Sequence, residues 1–157
     1  MKNALKYDKK TDLALGLWVK LARAASTFGK LTTANIKSFG LTEPQFSVLE
    51  CLGHLGPLTS GELSKKMLVS GGNTTVVVDN LENIGLVERI HGKKDRRIIY
   101  VQLTAKGKKL FDEIFDHHAV YVSKIASVLT DQEQERLALL LKKLGLALQA
   151  QSHNLKE

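Results

Sequence analysis

The chain has 157 residues, 43% hydrophobic, 25% charged and 6% aromatic, and its 23 basic side chains exceed its 16 acidic ones to give a net charge of +7. That length suits one domain with helical extensions, and the apolar content excludes wholesale disorder. A single cysteine, Cys51, excludes an internal disulfide framework and a four-cysteine zinc site.

Residues 1–10 are polar and read as a loose arm. From residue 11 to about 37, Ala14, Leu17, Trp18, Leu21, Ala25 and Phe28 recur at steps of three and four, which predicts a helix. Leu13, Leu15 and Val19 add a second apolar face, so this helix has more to cover than its own core. The apolar run from Leu13 to Val19 is too short to span a bilayer, which takes about 20 residues. Lysines precede it, but the helical period continues past it; a cytoplasmic chain with no signal peptide and no membrane partner is expected. Thr42 and Gln45 form a capping box that opens the next helix, and Pro44 is tolerated there because early amides lack intrahelical partners. Phe46, Val48, Leu49, Leu52 and Leu55 are its buried side, and Gly56-Pro57 ends it.

A second box, Thr59 with Glu62, opens a short helix carrying Leu63 and Met67. Ser70 can cap a helix from residue 71 to about 84, with Thr74, Val77, Val78, Leu81 and Ile84 inward and Gly85 as the stop. Two short helices this close make a helix-turn-helix candidate. Residues 86–91 and 98–103 read as strands around a polar tip, Gly92 to Arg97. Thr104 caps a long helix with Phe111, Ile114, Phe115, His118, Val122, Ile125 and Leu129 in register. Thr130 and Glu133 make a third box before a last helix carrying Leu137, Leu140, Leu141, Leu144 and Leu148. The expected class is mainly α with a small β-hairpin wing, that is, a winged helix-turn-helix with additional helices.

Charge placement carries the functional signal. Between Arg89 and Lys109 there are eight basic residues and one acid, Asp95, so this segment alone carries a charge equal to the net +7 of the chain. Lys93, Lys94, Arg96 and Arg97 at the hairpin tip suit a phosphate backbone, and arginine suits a narrow minor groove. Asp95 would repel phosphate if free; pairing with Arg96 or Arg97 would orient a guanidinium instead. On the helix before the wing, Gly72, Asn73, Thr75, Val76 and Asn80 fall away from the packed side, with Ser70 at its start. Asparagine can pair with adenine, threonine can meet phosphate, and an exposed valine can meet a thymine methyl. Core packing is the plainer reading of Val76.

These pieces resemble the MarR family of bacterial transcription regulators. The likeness runs from Leu58 to Gly107: Leu63 through Met67, Asp79-Asn80-Leu81-Glu82 with Gly85-Leu86-Val87-Glu88-Arg89, the wing Asp95-Arg96-Arg97, and Leu103-Thr104-Ala105-Lys106-Gly107. The flanking helices follow the family's order. The resemblance implies a homodimer on double-stranded DNA with a palindromic operator. A winged helix-turn-helix domain at residues 41–104 would lie between an N-terminal arm and dimerisation helix, 1–40, and C-terminal dimerisation helices, 105–157. The recognition helix would enter the major groove and Arg97 the minor groove. Where many members carry a basic residue, this chain has Val76, which shifts positive charge to the wing. The family also implies a repressor released by a small phenolic or other aromatic effector. Trp18, Phe28, Phe46, Phe111 and Phe115 are candidates to line its cleft, with core packing as the plainer role of each.

Cys51 is a redox candidate, although a buried thiol is usually inert and no second cysteine could resolve a sulfenic acid within the chain. His117 and His118 point to different sides of a helix, and Glu113 with His117 supplies only two ligands, so no metal site is expected. There is no P-loop, nucleophile elbow, dinucleotide fingerprint or helical pair of zinc histidines; neither an enzyme nor a cofactor is expected. The competing readings are a ligand-independent architectural DNA-binding protein, and a helical protein-binding module or thiol enzyme with a basic loop.

Overall fold

Apolar spacing and side-chain caps explain where most of the helices begin. The computed structural model describes residues 7–67 and 74–154, with side chains through residue 151. Helix α1 (Lys9–Ser38) starts two residues earlier than the apolar period suggests, because the Asp8 carboxylate accepts from the Thr11 amide at 2.9 Å. The polar arm is therefore shorter than expected. Helix α2 (Glu43–Leu55) carries the Thr42–Gln45 box and α3 (Ser60–Lys66) the Thr59–Glu62 box, with both halves of each formed. Leu55, expected on the buried side, is exposed at the last position of α2, where Gly56 ends the helix.

Helix α4 (Thr74–Asn83) follows α3 as the second helix of the helix-turn-helix. Strands β2 (Val87–His91) and β3 (Ile99–Leu103) then form the wing. β3 starts one residue later than expected because the Ile98 amide is engaged by the Asp95 carbonyl within the turn. A further strand, β1 (Leu58–Thr59), is too short to show alternation in sequence. It pairs antiparallel with β3 through Leu58–Val101 and Thr59–Tyr100, giving the sheet order β1-β3-β2. β2 and β3 pair from Val87–Leu103 to His91–Ile99.

One core joins these elements. Phe46, Val48, Leu49 and Leu52 of α2 meet Leu63 of α3, Val77, Val78 and Leu81 of α4, Val87 and Val101 of the sheet, and Phe111 and Ile114 of helix α5 (Ala105–Ala126). Ile36 closes it from α1. Ile84, expected inward, is exposed. It lies past the end of α4, and Gly85 at φ +73° turns the chain away before the apolar period can continue.

Contacts divide the chain into a unit ending at His118 and another beginning at Ala119. In the second, α5 ends at Ala126, short of Leu129, whose amide instead donates back to Ala126. The Thr130–Glu133 box then opens α6 (Asp131–Asn154). Leu137, Leu140, Leu141 and Leu148 remain exposed on α6, as do Leu13, Leu17, Trp18, Phe28 and Leu31 on α1. No helix among the described residues is long and apolar enough to cross a membrane.

Candidate nucleic-acid interface

Helix α4 separates its two faces cleanly. Thr74, Val77, Val78 and Leu81 are buried, and the Ser64 hydroxyl donates to Thr74 Oγ1 at 2.9 Å, tying α3 to α4. Thr75, Val76, Asp79, Asn80 and Asn83 face out. Val76 is 53% exposed, so packing does not account for it. Ser70, Gly72 and Asn73 lie outside the described residues. Asp79 and Asn83 share the outward face but were not singled out from sequence. Asp79 lies three residues beyond Val76 and Asn83 three beyond Asn80, and that helical spacing is the signal that marks them.

The wing presents four bases at its tip. Lys93, Lys94, Arg96 and Arg97 are all exposed, the Arg97 side chain at 94%. Asp95 does organise Arg97: its Oδ1 accepts the Arg97 amide at 2.9 Å and lies 3.4 Å from Nε. This is an aspartate turn that fixes where Arg97 leaves the hairpin. The Gly92 amide donates to the Ile98 carbonyl at 2.8 Å, and His91 Nδ1 lies 2.8 Å from the Arg96 carbonyl, closing the tip against β2.

Not all of the segment's charge faces outward. Arg89 Nη2 pairs with Asp79 Oδ1 at 2.5 Å, while Nη1 pairs with Glu82. The Arg89 amide also donates to Glu82 Oε1 at 3.1 Å. The hydrogen bond from Arg89 to Asp79 leads the effects that raise the guanidinium's pKa, so it stays charged. Lys106 Nζ donates to the Ile84 carbonyl, and Lys108 pairs with Asp112. Within the segment from Arg89 to Lys109, the cations left for an anionic partner are the four of the wing tip and Lys109.

The remaining candidates lie elsewhere. Phe46 and Phe111 are only 3% and 6% exposed and belong to the core. Phe115 is half-buried beside Phe111, with His54 edge-on to both rings at 5.2 Å from Phe111 and 4.5 Å from Phe115. Phe46 instead meets His118 at 4.7 Å. Trp18 and Phe28 are exposed on α1. An open pocket of about 330 Å³ lies between the end of α2, β3 and the start of α5, and none of the five aromatics lines it.

Cys51 is half-buried, and burial, followed by the charge of Glu50, raises its pKa and disfavours the thiolate. His118 Nδ1 lies 2.7 Å from Asn35 Oδ1 and joins α5 to α1, whereas His117 is exposed. Among the described residues no group of three His, Cys, Asp or Glu could hold a metal ion.

This geometry has counterparts in known proteins. A sequence model of the MarR family matches residues 41–99. The chain is 35% identical over 136 residues to the HTH-type transcriptional regulator MhqR of Bacillus subtilis, covering 87% of this chain and 94% of that protein. It is 33% identical over 139 residues to the uncharacterized HTH-type transcriptional regulator YkoM of Bacillus subtilis, covering 88% and 90%. The solved structure of a MarR family protein from Bacillus stearothermophilus has a TM-score of 0.70 at 26% identity, covering 91% of this chain and 99% of that one.

Proposed function

The chain belongs to the MarR family of DNA-binding transcriptional regulators, which are not enzymes, and from that premise we propose that it is a cytoplasmic homodimeric repressor of a palindromic operator. The observation that carries the reading is the pairing of an outward face on α4 that bears no basic residue, its carboxylate Asp79 being paired with Arg89, with a wing tip of four exposed cations. The wing supplies salt-dependent attraction to phosphate, and Thr75, Val76 and Asn80, with Ser70, Gly72 and Asn73 preceding them, meet base edges or the adjacent phosphates. Arg97, aimed by Asp95, enters the minor groove. Residues 41–104 act as the DNA-binding domain, and 1–40 with 105–157 as the dimerisation region. The exposed apolar side chains of α1 and of α6 support the latter role, because patches of this kind mark association surfaces.

A small aromatic effector would release the repressor by acting where α2 meets α5. The layer of Phe46, His54, Phe111, Phe115 and His118 supports that choice, since it is continuous with the core beneath α4. Trp18 and Phe28 on α1 are further candidates for the same ligand. Selection of bound sites from a randomised duplex pool tests the main reading. It should return two inverted half-sites whose spacing reflects a two-fold dimer. Failure to bind any duplex at moderate salt, or a monomer by sedimentation at micromolar concentration, would contradict it.

A further inference from the structure

Helix α4 ends in a turn whose carbonyls are satisfied from two directions. The Gly85 amide donates to Glu82 and the Leu86 amide to Leu81, both at 2.9 Å, which is a Schellman ending. The carbonyls of Ile84, Gly85 and Leu86 accept from the start of α5 instead. Lys106 Nζ donates to Ile84 at 2.8 Å, Thr104 Oγ1 to Gly85 at 2.7 Å, and the Thr104 amide to Leu86 at 3.1 Å. The Thr104 hydroxyl also accepts the Gly107 amide at 3.0 Å, so one side chain both caps α5 and holds the end of α4. A Cβ at Gly107 would fall 1.9 Å from the Leu86 carbonyl oxygen, which shows how closely the two segments meet.

A cation at the carboxyl end of a helix meets the negative pole of its dipole and the carbonyls left without intrahelical donors. Lys106 occupies that position on α4 although it is borne on α5. We propose that Lys106 is a positioning residue for DNA reading: with Thr104 it sets how α4 is presented, and it makes no phosphate contact. The proposal rests on the DNA-binding reading above. Base-edge contacts depend on accurate placement of the helix, whereas phosphate contacts depend mainly on the number of charges. Loosening the latch should therefore degrade discrimination and leave the electrostatics intact.

The test uses the full chain and two probes: a duplex selected by the wild-type protein from a randomised pool, and a scrambled duplex of the same composition. Affinity for each is followed across a salt titration for wild type, Lys106→Met, Lys106→Arg and Lys93→Met. Lys106 is exposed, so none of these changes asks the core to repack. Lys106→Met should lower the selected-over-scrambled ratio on the order of tenfold while the salt slope stays at its wild-type value. Lys106→Arg, which can donate to the same carbonyl, should restore the ratio. Lys93→Met, which removes one cation from each of the dimer's two wings, should reduce the slope by about 1.8 and leave the ratio unchanged. A shallower slope in Lys106→Met would place the lysine on phosphate and overturn the proposal. Equal losses on both duplexes, or no change in the ratio, would also overturn it. Absence of duplex binding by the wild type would overturn the DNA-binding reading, and this proposal with it.

Discussion

Arg89 and Asp79 tie the wing to helix α4, with Nη2 2.5 Å from Oδ1 and the arginine side chain only 28% exposed. Asp79 lies on the outward face of α4, where a free carboxylate would repel phosphate; the pairing offsets that repulsion. Glu82, one turn along α4, accepts both the guanidinium and the amide of Arg89, so strand and helix are joined at several atoms. Arg89→Gln should lower unfolding stability by about 1 kcal/mol, since the cluster is partly open to solvent. It should also weaken DNA binding without changing the salt slope, because this guanidinium is already occupied. Urea unfolding and a salt titration of duplex binding measure the two effects. A slope shallower by two phosphate contacts, one from each protomer, would mean that Arg89 reaches DNA.

The wing makes the opposite prediction. Arg97 is exposed and free to reach an anion beyond Asp95, so Arg97→Gln, lost from both wings of the dimer, should reduce the salt slope by about 1.8. Asp95→Ala removes the acceptor that fixes the Arg97 amide. It should weaken binding to a selected operator while leaving binding to scrambled duplex equal or stronger, because a negative charge is lost with the turn. Asp95→Asn retains an acceptor oxygen and should behave closer to wild type. Stronger operator binding by Asp95→Ala would count against an orienting role.

How far the sequence could be read depended on whether the deciding interaction was local. All three capping boxes are local, three residues from end to end, and all three form. The outward exposure of Val76 likewise follows from helical period once Val77 and Val78 are taken as buried. Two features were not legible. β1 is two residues long, and only its partner β3, far along the chain, makes it a strand. The occupation of Arg89 and Lys106, which the sequence alone offers as available bases, is the other. Asp79 is ten residues from Arg89, and the Ile84 carbonyl is 22 residues from Lys106, so no local pattern reveals that both are occupied.

Two glycines should rank differently although a Cβ collides at both. At Gly107 the obstacle is backbone, the Leu86 carbonyl oxygen at 1.9 Å, held in place by the Schellman turn. At Gly53 it is the Phe111 ring at 2.3 Å, a buried side chain with some freedom to tilt. Overpacking costs about 1–3 kcal/mol where neighbours can yield, and more where they cannot. Gly107→Ala should therefore exceed about 3 kcal/mol and Gly53→Ala should fall within that range, as measured by denaturant midpoints. A near-neutral Gly107→Ala would show that α5 can slide along the turn without penalty, contrary to a rigid joint between α4 and α5.

His118 gives stability a pH dependence whose sign can be worked out. Burial pushes its pKa below the ordinary 6.5, outweighing the attraction of Glu50 in the opposite direction. With Nδ1 protonated, the neutral ring donates to Asn35 Oδ1 at 2.7 Å and packs on Phe46, linking α5 to α1 and α2. As pH falls, the unfolded chain takes up the proton first, because its histidine titrates near the ordinary value. The folded state is therefore disfavoured progressively from that value down to the depressed folded pKa, and the loss levels off below it. Above the ordinary value the contribution is constant. Between about pH 7.5 and 5.5, wild type should lose stability relative to His118→Gln, which cannot titrate. Thermal or urea unfolding of both proteins across that window measures the difference. Parallel profiles would mean that the ring accepts a proton as readily in the folded chain as in the unfolded one.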